Sequence, residues 1–164
     1  MFSHFIFAAV LATVQVPGVF HAPTNRLHVG ISSIAVSQRN GRMWATWYAG
    51  PTPGEDKNSY VILSTSGDGG VHWQEKLVSD PDGRGPWRAF DPEVWIAPDG
   101  RLRWTWTERK CKPDEVDESR HYAGDEGDIK TDRLMMAELS AEDDVSEVPS
   151  ARQIGRGVMM CKPT

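Results

Sequence analysis

Along this chain short apolar runs alternate with clusters of Gly, Pro, Asn and Asp. "GISSIAV", "YVILSTS" and "FDPEVWIA" have the length and β-branched or aromatic content of strands rather than helices. "NGRMWATWY" (40–48) and "DGRLRWTWT" (99–107) open with Asn-Gly or Asp-Gly, the dipeptides that accept positive φ in a type I′ hairpin turn, and each follows an apolar run. The pattern predicts strands at about 29–37, 42–48, 60–66 and 72–78. A second set follows at about 89–97, 101–107, 133–139 and 151–155. The fold class is therefore all-β.

The two hairpins are also an internal repeat, sharing Gly-Arg, an apolar residue and then Thr-Trp at an offset of 59 residues. Four-stranded antiparallel units at that period predict blades of a β-propeller, here two blades plus a strand begun by "GVMMCKPT". Two blades do not close a ring, so the expectation is a partial propeller, the N-terminal part of a longer protein. A complete β-sandwich also fits the length but does not predict the echo.

Composition narrows the partners. The 164 residues hold seven Trp, fifteen Gly and eleven Pro and a formal charge of −5, with acids concentrated over 114–132. No basic stripe tracks phosphates, which argues against nucleic acid. Cys111 and Cys161 lack metal-ligand spacing, so no metal or cofactor is expected; they form either a disulfide in an oxidising compartment or two free thiols. The apolar run Phe5 to Val14 is too short to span a bilayer. Residues 1–22 read either as an export signal, implying a secreted or periplasmic protein, or as an N-terminal strand, with the propeller part over 24–164.

Ser66, Asp68, Gly70 and Trp73 in "STSGDGGVHW" match the Ser-x-Asp-x-Gly-x-Thr-Trp Asp-box of sialidases and related BNR-repeat proteins, with His72 in place of Thr. Together with "GRMWATWYAG", "YVILSTSGDGG", "RAFDPEVW", "APDGRL" and "GVMMCKPT", the chain resembles the N-terminal part of sialidase-like glycoside hydrolases. The resemblance implies a six-bladed propeller and activity on terminal sugars of glycans or polysaccharides, and makes the Asp-box structural, its Trp burying its ring between sheets. It places chemistry at the opposite end, on the loops after the second and fourth strands of each set.

Three such loops, and the last strand, carry candidates. In "AGPTPGEDKNS", Asp56 and Glu55 lie near the family's acid/base position, 26 residues after Gly30. Gly30 itself stands where the resemblance would place the arginine that grips a sialate carboxylate. In "GPWRAFDPEVW", Arg88 beside Trp87 suits a sugar carboxylate or hydroxyls plus a stacking face, or else forms an ion pair with Asp91. The long acidic loop carries His121 and Tyr122, a pair suited to base and acid in a propeller polysaccharide lyase. Lys162 is a further substrate contact on the strand of "GVMMCKPT", its preceding position held by Cys161. A glycan-binding propeller without catalysis is the alternative to an enzyme.

Overall fold

The computed structural model describes residues 14–81, 87–111, 131–159 and 161–162. His121 and Tyr122 therefore lie outside the described residues, as does most of the first 22. The described chain contains β1 (Val14–Gln15), β2 (His28–Val36), β3 (Met43–Gly50), β4 (Tyr60–Ser66) and β5 (Gln74–Ser79). These are followed by β6 (Trp87–Ile96), β7 (Arg101–Lys110), β8 (Arg133–Ser140) and β9 (Ala151–Arg156). They form two antiparallel sheets, in the orders β1-β5-β4-β3-β2 and β6-β7-β8-β9. The expected four-strand sets are each a meander of sequential neighbours. Strand β1, inside the 1–22 segment that reads either as an export signal or as an N-terminal strand, adds to the outer edge of β5 by pairing Val14 with Ser79.

The hairpins form where the Asn-Gly and Asp-Gly dipeptides stand, but not as the expected type I′ turns: Gly41 at φ 72° and Gly100 at φ 81° take the left-handed geometry, while Asn40 and Asp99 do not. From those turns the two-residue period sends Trp44, Thr46 and Tyr48 of β3 to one face. The matching period in β7 sends Leu102, Trp104 and Trp106 to the face that meets them. All three β7 side chains are fully buried, and the Trp104 indole N–H donates to Thr46 Oγ1 at 2.9 Å. The Thr46 hydroxyl in turn donates to the Ile62 carbonyl at 2.6 Å, so both the Trp104 indole and the Thr46 hydroxyl are paired inside the core.

The repeat equates Leu102, Trp104 and Trp106 with Met43, Ala45 and Trp47, not with the core-facing Trp44, Thr46 and Tyr48. Opposite faces of equivalent strands therefore meet, so the sheets stack front to back. Strands β2 and β6 also touch directly, Ser33 Oγ accepting from the Val94 amide at 3.2 Å. The β8–β9 connection clasps the first sheet: the Ala141 carbonyl accepts from Trp44 Nε1 at 2.9 Å, and the Glu142 carbonyl from Arg42 Nε at 2.9 Å.

The other face of the first sheet carries a smaller core of Ala49, Tyr60, Ile62 and Val78. The segment before β2 covers it through Phe20. It is fastened by Arg26, whose guanidinium makes a two-bond contact with Glu75 at 2.6 Å per bond, and by His21 Nε2 against Asp80 at 3.1 Å. His21 Nδ1 accepts the Gly18 amide, which leaves Nε2 as the donor to Asp80. Cys111 is buried and Cys161 is exposed, and no disulfide joins them.

The Asp-box is a self-bonded turn. Ser66 Oγ donates to Asp68 and accepts from the Gly70 amide at 3.0 Å, and Asp68 accepts from the His72 amide at 3.0 Å. Gly69 and Gly70 supply the positive φ values of 75° and 88° that the reversal requires. The amide and ring of His72, with Ser66, hold the Asp68 carboxyl well below the usual range. One expectation is corrected here: Trp73 is 40% exposed rather than buried between sheets. Strand β5 begins after it, at Gln74, and its indole N–H instead closes the turn on the Gly70 carbonyl at 3.0 Å.

Candidate functional site

The sheet end opposite the Asp-box gathers the start of β2, the end of β3, the 51–59 loop and the start of β6. Glu55 is fixed there between two donors. Its Oε1 accepts a very short hydrogen bond from the Tyr48 hydroxyl, and Oε2 accepts from Arg88 Nη1 at 2.7 Å. The loop is anchored to β6 by the Ala89 amide, which donates to the Ser59 carbonyl at 2.9 Å. Glu55 thus meets a strand residue 33 positions away. Arg88 pairs with Glu55, not with its near neighbour Asp91 as one reading of the sequence had it.

Tyr48 was missed by sequence reasoning, and Gly30 is the reason it fits. The two residues are cross-strand partners, and a Cβ at position 30 would overlap Cζ and the hydroxyl of the Tyr48 ring. The phenol therefore lies over the glycine and reaches Glu55. Burial first, then the bond to Glu55 and the charges of Glu55 and Asp91, push the Tyr48 phenol far above its ordinary value, with Arg88 opposing. Tyr48 remains a proton donor at physiological pH, and Glu55 is held as its acceptor. A glycine directly across from a tyrosine at a strand's start was the available signal.

Gly30→Ala should displace the Tyr48 ring and cost about 1–3 kcal/mol, the usual range for overpacking. Urea unfolding followed by tryptophan fluorescence measures it. An unchanged midpoint would show that the ring is not seated on Gly30.

Asp56, the other predicted carboxylate, is occupied differently. Its two oxygens accept from the Asn58 amide at 2.7 Å and the Asn58 side chain at 3.0 Å, an Asx-type turn that shapes the loop. Asp91 lies at a bulge where pairing shifts between Phe90 and Glu93, and it has φ 46°, an uncommon value that Asp tolerates better than most residues. The bulge brings Asp91 close enough for its charge to act on Tyr48.

Behind Arg88 the structure adds a scaffold the sequence did not reveal. Arg88 and Arg109 lie over the Phe90 ring at 4.4 and 5.1 Å. Arg109 makes a forked pair with the fully buried Asp132, Nε at 2.9 Å and Nη2 at 2.7 Å. The guanidinium of Arg133 stacks 3.6 Å from the centre of the Trp87 ring and pairs with buried Glu108 at 2.7 Å. Trp87 is thus occupied on one face by an arginine of the same sheet.

Lys162 is not brought to this site. Its Nζ donates to the Ile34 carbonyl at 2.8 Å, and it lines a groove of about 590 Å³ with the turn residues Ser37–Arg39 and Asp99–Gly100. Those turns mark the opposite end of both sheets. Among the described residues no cluster of three or more His, Cys, Asp or Glu is placed to hold a metal ion. No helix among them is long and apolar enough to cross a membrane. Neither a family model nor a curated protein matches the chain.

Proposed function

We propose that the two sheets are successive blades of a sialidase-like β-propeller, and that the full-length protein is a glycoside hydrolase acting on terminal sugars of glycans or polysaccharides. Front-to-back stacking supports the propeller, because blades around a ring bury the front of one sheet against the back of the next. A sandwich built by pairing the two repeats about a twofold axis would bring equivalent faces together.

The observation that carries the enzymatic reading is Glu55, placed between Tyr48 and Arg88 at the end away from the Asp-box. Glu55 accepts from both Arg88 and Tyr48, and Tyr48 keeps its proton, so the site offers a fixed acceptor beside a proton donor. Glycosidic cleavage requires groups of both kinds.

Glu55→Gln in the full-length protein should lower turnover of a reactive aryl glycoside about a hundredfold, the low end for loss of a general acid–base group. Wild-type turnover in that variant would remove Glu55 from the mechanism. A glycan-binding propeller without turnover is the second reading. It is favoured by one observation, that Asp56 at the family's acid/base position has both carboxylate oxygens bonded to Asn58. Binding of glycans without product release selects it.

A further inference from the structure

We infer that Lys110, Arg133 and Arg156, grouped around Trp87, form a subsite for the oxyanion of an acidic sugar, a carboxylate or a sulfate ester, next to the Glu55 site. The inference rests on the carbohydrate reading above and adds the charge of the sugar that neighbours the one held at Glu55.

Strand pairing builds the group. Arg133 of β8 stands directly across from Glu108 of β7 on one side and from Arg156 of β9 on the other. Paired residues share a face of the sheet, and Lys110, two positions after Glu108 and directly across from Trp87, shares it too. The Trp106 indole N–H donates to Glu108 Oε1 at 3.1 Å, which marks this as the face turned toward the first sheet. Within the group three cations meet one carboxylate. Glu108 is fully buried, with Oε1 bonded to Trp106 and Oε2 2.7 Å from Arg133 Nη2, and it offsets only one of them. An excess of two positive charges is therefore concentrated here, on a chain whose formal charge is −5.

The cations are also accessible and, in part, already oriented. Lys110 and Arg156 are exposed, and the Arg133 side chain is 33% exposed. The Arg133 guanidinium is held between the Trp87 ring, 3.6 Å from its centre, and Glu108. A guanidinium fixed in this way loses little freedom on taking an anion, and its planar fork matches the paired oxygens of a carboxylate or sulfate. Arg156 directly across the ladder from Arg133 sets like charges side by side, an unfavourable pairing that an anion between them relieves. Trp87 immediately precedes the Arg88 that holds Glu55, and the next amide, that of Ala89, is bonded to Ser59 of the Glu55 loop. A sugar chain whose end reaches Glu55 can thus place its next residue against these cations.

The test is calorimetric titration of the full-length protein with three oligosaccharides of equal length: a neutral galactan, an oligogalacturonate and a sulfated galactan. At least one acidic oligosaccharide should bind about tenfold tighter than the neutral one, with the gap narrowing as salt is raised. Replacing the two exposed cations together, Lys110→Ala with Arg156→Ala, should remove most of that gap and leave the neutral affinity unchanged. Lys162→Ala, at the far end of the sheets, should leave every affinity unchanged. A preference for one acidic oligosaccharide supports the inference and names the oxyanion. Acidic oligosaccharides bound no tighter than the neutral one, or a gap that survives the double substitution, overturn the inference and leave the carbohydrate reading standing. A DNA oligonucleotide bound as tightly as the acidic oligosaccharides also overturns it, because the cations would then take any polyanion. Binding of none of the three oligosaccharides overturns both readings.

Discussion

Replacing Asp132 by alanine is expected to destabilise the protein by about 3–5 kcal/mol, the range for removing one partner of a buried ion pair. Asp132 is fully buried and Arg109 is 5% exposed, and the two share a forked contact. Removing the carboxylate leaves a guanidinium that cannot lose its proton and has little access to water. The damage should spread, because Arg109 lies on the same Phe90 ring as the Arg88 that holds Glu55. Urea denaturation followed by tryptophan fluorescence gives the stability, and a loss below about 1 kcal/mol would mean the pair is solvated. Asp132→Asn keeps the shape and some acceptor capacity, so a smaller loss is expected from it.

Trp104→Ala should be equally costly, about 3–5 kcal/mol for truncating a fully buried tryptophan. The Trp104 ring packs 4.7 Å from Trp106 between the two sheets. Its removal opens a cavity at the sheet–sheet contact and strips Thr46 of the one donor it accepts from. Calorimetry or denaturant unfolding reports the loss. A cost near that of an exposed substitution, within about 0.5 kcal/mol, would place Trp104 outside the core.

The architecture was readable because its signals are local. Asn40-Gly41 and Asp99-Gly100 impose their hairpins whatever surrounds them, and the 59-residue echo carries the second sheet along with the first. Strand β1 was legible only as one of two readings of residues 1–22, because two residues have no periodicity to detect; its pairing with β5 defines it. Trp73 was misplaced for a related reason. Its indole found a partner within the turn, and no sequence rule weighs that bond against burial.

The candidate site was legible as a set of loops but not as a set of contacts. Glu55 and Asp56 are adjacent and chemically alike. Asn58, two residues on, captures Asp56, while Tyr48 and Arg88 capture Glu55, and only the folded loop decides between them. Glu108 and Arg109 stand 23 or more residues before Asp132 and Arg133 in the sequence, and β7 and β8 must pair in register before the two pairs meet. Lys162 shows the reverse case: its place in the repeat suggested the site, and packing against Ile34 takes it to the other end.

The central claim is that the repeats stack front to back, with β7 presenting the face that carries Trp104 to the Thr46 face of β3. A double-mutant cycle of Thr46→Val and Trp104→Phe tests it most directly, since the first change keeps the side-chain shape, the second keeps an aromatic ring, and both remove the shared hydrogen bond. Measured by denaturant unfolding, the cycle should give a favourable coupling of about 1 kcal/mol. Strictly additive effects, with coupling below about 0.3 kcal/mol, would mean that the two side chains do not meet and would contradict the stacking.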